Sequence, residues 1–77
     1  MSLIESTPGI CGGVARISGT RIPVWIIIEC CYTFGLTPDE IIGCYPRLSE
    51  DDIEIACDYY GEHKAEIDLE IELNQEA

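Results

Sequence analysis

The chain has 77 residues, with fifteen acidic side chains against four basic ones and a formal net charge of −11. A domain this short buries only ~60% of its unfolded surface, so its core is marginal. So few cations argue against nucleic acid as a ligand, because that affinity comes mainly from neutralising phosphates with Lys and Arg. The longest apolar run, about 22–31, is broken by Pro23 and Glu29 and is too short to cross a bilayer.

Five cysteines (Cys11, Cys30, Cys31, Cys44 and Cys57) form no C-x-x-C pair, and nothing ahead of the first resembles a secretory signal. They read as free, mostly buried thiols in a reducing cytoplasm. With His63 as the single histidine and no cysteines at ligand spacing, neither a metal nor another cofactor is expected.

In chain order, turn residues come first: Thr7-Pro8-Gly9, then Gly12-Gly13. The β-branched segments 14–17 and 21–24 flank Ser18-Gly19-Thr20 and predict a short hairpin whose turn uses the freedom of Gly19. Arg16 and Arg21 flank that turn. Pro23 suits the first position of a helix over 23–34. That helix is apolar nearly all round and closed by Gly35, with Leu36 as its hydrophobic contact. "TPDE" at 37–40 reads as a capping box with proline at the first helical position, opening a helix over 38–45 that stops before Pro46. "SEDD" at 49–52 repeats the device, with three acids where the helix dipole favours them. The helix it opens, over 50–60, carries the stripe Ile53, Ala56, Cys57 and Tyr60. The tail from Gly61 onward alternates Ile67, Leu69, Ile71 and Leu73 with acids, as a strand would, yet its Glu and Leu content also suits a helix. Residues 1–61 thus form the predicted domain and 62–77 an acidic amphipathic segment.

Three strings, "GGVARISGTRIPV", "GLTPDEI" and "YPRLSEDDI", resemble the bacterial family known as domain of unknown function 433, from about Pro8 to Tyr60. The resemblance implies a mainly α, trihelical, homeodomain-like or winged-helix-like helix-turn-helix domain with a short N-terminal hairpin. It also implies an antitoxin encoded beside a toxin of the PIN-nuclease type, and no catalytic residues. Cys30-Cys31 and the strong acidity depart from the family pattern.

Two functions follow. The first is a non-enzymatic protein-interaction module of antitoxin type that neutralises a PIN-type toxin. The alternative is a helix-turn-helix DNA-binding autoregulator. The helix that would enter the major groove begins Ser49-Glu50-Asp51-Asp52 and carries Glu54 and Asp58, carboxylates that would meet phosphate. DNA binding is therefore expected to be weak, or to require the complex with a basic toxin. An enzyme is the class with least support, since no motif orients His63 against a nucleophile and the glycines form no phosphate loop. The expected partner-binding residues are Ile67, Leu69, Ile71 and Leu73 of the tail, together with an outward-pointing Arg16. Arg21 is expected to be structural, pairing with an acid of the third helix. An apolar first helix and unpaired hairpin edges predict a homodimer.

Overall fold

The computed structural model describes residues 3–9 and 11–75, so Glu76 of the acidic tail lies outside the described residues. Two short strands lead, β1 (Ile4–Glu5) and β2 (Arg16–Ile17), followed by α1 (Val24–Ile28) and a π-helical continuation at Glu29–Thr33. Then come α2 (Pro38–Cys44), α3 (Glu50–Glu62) and α4 (Lys64–Gln75). The mainly helical class expected from the sequence is the one observed.

The predicted turn forms: Ile17 N–H donates to the Ile22 carbonyl at 3.0 Å, Val24 N–H to Ala15 at 2.9 Å, and Gly19 sits at φ 78°. Arg16 bridges Pro23 across this hairpin. What the sequence did not predict is β1, which pairs antiparallel with the other edge of β2, Ile4 opposite Ile17 and Glu5 opposite Arg16. β2 thereby becomes a central strand, and Ala15, Arg16 and Ile17 are all buried.

Pro23 is the residue before the first helical turn, with extended ψ of 152°, rather than its first member. The first helix also departs from α geometry in its second half. Phe34 N–H reaches back five residues to the Glu29 carbonyl at 3.1 Å, and Leu36 N–H reaches Cys30 at 2.9 Å around Gly35 at φ 66°. Cys30 turns inward, whereas Tyr32 and Phe34 are 68% and 63% exposed, so the helix is not buried on every side.

Both predicted capping boxes are present. Thr37 Oγ1 accepts from Glu40 N–H while Thr37 N–H donates to the Glu40 carboxylate. Ser49 and Asp52 do the same at α3. The core gathers Ile17, Val24, Ile27, Ile28, Ile41, Leu48, Ile53, Ala56 and Ile67. α3 ends at His63, whose ring stacks on Tyr59 at 4.0 Å, and α4 turns back to pack on α1 and α3. Tyr60 of α3 donates to Asp68 at 2.7 Å, which ties α4 to α3, and Lys64 donates to the same carboxylate at 2.9 Å from within α4. Among the described residues, no helix is long and apolar enough to cross a membrane.

Candidate functional site

Arg16 does not point outward as expected. Arg16 is only 6% exposed because β2 is flanked on both edges. Its Nη1 donates to Glu5 Oε2 at 2.8 Å and its Nη2 to Thr7 Oγ1 at 3.1 Å. Ser18 Oγ completes the cluster by donating to the other Glu5 oxygen at 2.8 Å. The Arg16 guanidinium, and then the Ser18 hydroxyl, hold the Glu5 carboxyl below the usual carboxylate range. Arg21, expected to be the structural arginine, is exposed beside the turn. The signal that would have found this was Glu5, the acid placed across from Arg16 by a strand too short to show alternation.

Thr20 holds the turn closed, donating to the Ile17 carbonyl and accepting from Ile22 N–H. Arg47, from the loop between α2 and α3, donates to the Gly19 carbonyl at 3.1 Å. A cleft of about 510 Å³ results, lined by Glu5, Arg16, Gly19, Thr20, Arg21, Ile22 and Arg47. Three of the four basic residues of a chain with net charge −11 meet in this one place.

The four tail residues expected to bind a partner divide in two. Ile67 is fully buried and Ile71 half-buried against the core, so neither is presented to a partner. Leu69 and Leu73 are 54% and 59% exposed. At about 100° per residue they fall on the side of α4 opposite Ile67. Ala65, Glu66 and Glu72 are exposed with them. α4 is therefore apolar on two faces, one satisfied by its own core and the other edged by carboxylates.

The profile of the family described as a protein of unknown function, DUF433, matches residues 4–60. A crystal structure of a DUF433 member from Anabaena variabilis superposes with a TM-score of 0.76 at 43% sequence identity. The chain belongs to the DUF433 family. That match covers 88% of this chain and 66% of the Anabaena variabilis one, so it spans slightly under two thirds of that relative. No curated protein matches the sequence.

In this DUF433 chain a second groove of about 520 Å³ runs between α2 and α3, with Pro38, Ile53 and Cys57 edged by Asp39, Glu50 and Glu54. With Asp51 and Asp58 also exposed, the outer side of α3 is acidic along its length. Burial, reinforced by Cys57, pushes the Cys31 thiol up to about 11.

Proposed function

We propose that the protein is a non-enzymatic, cytoplasmic interaction module of antitoxin type, whose outer α4 face docks on a basic partner of the PIN-nuclease toxin class. The carrying observation is the exposed pair Leu69 and Leu73 on a helix whose opposite side is already buried. Two leucines standing in water on a carboxylate-edged helix face suit a partner that is apolar at the centre of its own surface and basic around it. The partner's charge speeds the encounter and the leucines supply the affinity. Duplex DNA is engaged, on this reading, only through the complex, since the acidic outer side of α3 repels phosphate. Tyr32 and Phe34, both solvent-exposed at the end of the first helix, support association of two copies through that end.

The test uses the full chain and the small nuclease-like protein encoded beside it. The double variant Leu69→Asp/Leu73→Asp is expected to melt within a few degrees of the parent and to lose capture of that protein in co-purification. A variant that folds and still captures and neutralises it refutes the assignment to α4.

A further inference from the structure

We propose that the arginine cleft around the Ser18-Gly19-Thr20 turn binds a small phosphate monoester. The inference is independent of the toxin reading and concerns a different surface. Among the described residues lining the cleft, Arg16, Arg21 and Arg47 are the cations and Glu5 the acid, a sum of two positive units. That matches a monoester, which carries ≈ −1.5 to −2 at neutral pH, better than a carboxylate or a single phosphodiester.

The cleft is built rather than incidental. Its inner wall is Arg16, more than nine-tenths buried, with Nη1 and Nη2 committed to Glu5 and Thr7. Arg16 Nε is also buried and has no acceptor among the described residues. A buried donor without a partner is uncommon and costly. Arg47 donates from the opposite side to the Gly19 carbonyl, and a guanidinium has further N–H groups to offer an oxyanion. Arg21 supplies the third charge at the rim.

Size and surroundings choose between a small anion and a polymer. The volume of about 510 Å³ falls in the range of small-molecule sites. Ile22 gives the organic part of a monoester an apolar wall. A nucleic-acid strand would extend past the cleft and lay its further phosphates against a molecule of net charge −11, where no other cluster of cations meets them. A compact dianion needs only the cleft.

The experiment titrates the full chain, followed by two-dimensional amide and arginine Nε–H NMR, with inorganic phosphate, phenyl phosphate, acetate and a twenty-base-pair duplex DNA at fixed ionic strength. The expected result is saturable shifts centred on Gly19, Thr20 and Arg47 with both phosphates. Phenyl phosphate should bind at least as tightly as the free ion. Binding should strengthen between pH 5.5 and 7.5 as the second proton leaves, which happens near a pKa of about 6. The double variant Arg21→Gln/Arg47→Gln should stay folded by circular dichroism and bind phenyl phosphate about tenfold more weakly, the loss of roughly one charge-assisted hydrogen bond. Arg16 is left untouched because the fold depends on it. Absence of saturable shifts, shifts centred elsewhere, or an unaffected double variant overturns the site. Acetate binding as tightly as phosphate overturns the dianion assignment. Inorganic phosphate outcompeting phenyl phosphate overturns the monoester assignment, and duplex DNA binding more tightly than either overturns the small-molecule reading.

Discussion

Ile67→Ala separates what α4 does for the fold from what it offers to a partner. Ile67 is fully buried in the cluster that also holds Ile27, Ile28 and Ile53. Truncating a core isoleucine costs ~2–5 kcal/mol, the lost transfer energy plus the cavity left behind. A domain of this length is stable by roughly 4–12 kcal/mol in total, so the loss is a large fraction of it. At about 4–8 °C per kcal/mol for small domains, a mid-range cost near 3 kcal/mol lowers the melting temperature by about 12–24 °C. Leu69→Ala, on the exposed side of the same helix, should stay within ~0.5 kcal/mol of the parent. Thermal melts of the full chain followed by far-ultraviolet circular dichroism compare the two directly. If Ile67→Ala melts with the parent, α4 is not docked by this face. If Leu69→Ala collapses instead, the helix is rotated half a turn, with Leu69 rather than Ile67 facing the core.

Glu5 and Glu70 should move acid stability in opposite directions. The Glu5 carboxyl is held low by Arg16, so the stability it contributes is present above its unfolded value and is lost as pH falls through its folded one. Glu5→Gln should therefore melt lower than the parent at pH 7 and converge with it in strong acid, as differential scanning calorimetry across pH 2 to 7 would show. Glu70 is pushed up by burial and then by Glu66, and one of its oxygens is buried without a hydrogen-bond partner among the described residues. Its ionisation costs stability as pH rises from the unfolded value through the folded one, so Glu70→Gln should melt higher than the parent at pH 7 and lose that advantage near pH 4. Among Cys30, Cys31, Cys44 and Cys57, iodoacetamide at pH 8 should label Cys44 first, since it alone is exposed while burial raises the other three thiols. Peptide mass spectrometry of a short time course checks the order.

Where the sequence was legible, a local rule and the tertiary structure agree. Thr37 with Glu40 and Ser49 with Asp52 open their helices, and Gly35 closes its own, each by satisfying backbone groups within a few residues. Of the stripe in α3, Ile53 and Ala56 are fully buried, while Cys57 and Tyr60 lie half-buried at its edge. The long-range features were not legible. β1 has two residues, too few for alternation to register, and without it nothing marks β2 as central or Arg16 as buried. The π turn at Glu29–Thr33 has no propensity signature, so the outward placement of Tyr32 and Phe34 could not be read in advance. In the tail the apolar period supported both a strand and a helix. Only the packing of α4 on α1 decides that Ile67 and Ile71 belong to the core and Leu69 and Leu73 do not. The arginine cleft was hidden for the same reason, since Arg47 joins Arg16 and Arg21 only when the loop after α2 reaches the turn at Gly19.

The charge distribution makes the proposed docking separable into rate and lifetime. The fourth basic residue, Lys64, is engaged by Asp68, and the other three face the cleft, which leaves the outer sides of α3 and α4 acidic. Charges acting on an approaching basic partner are screened over about 8 Å at physiological ionic strength. Raising salt should therefore slow association and leave dissociation nearly unchanged. The leucines act only once water has been expelled, so Leu69→Ala and Leu73→Ala should speed dissociation and leave association nearly unchanged. Surface plasmon resonance on the full chain, at low and high salt, reads both constants in one series. If salt chiefly changes the dissociation rate, Glu66 and Glu72 sit inside the contact rather than around it, and carboxylates rather than leucines form its centre. If the leucine variants change neither constant, the partner engages the acidic groove between α2 and α3, and Glu50 and Glu54 become the residues to substitute.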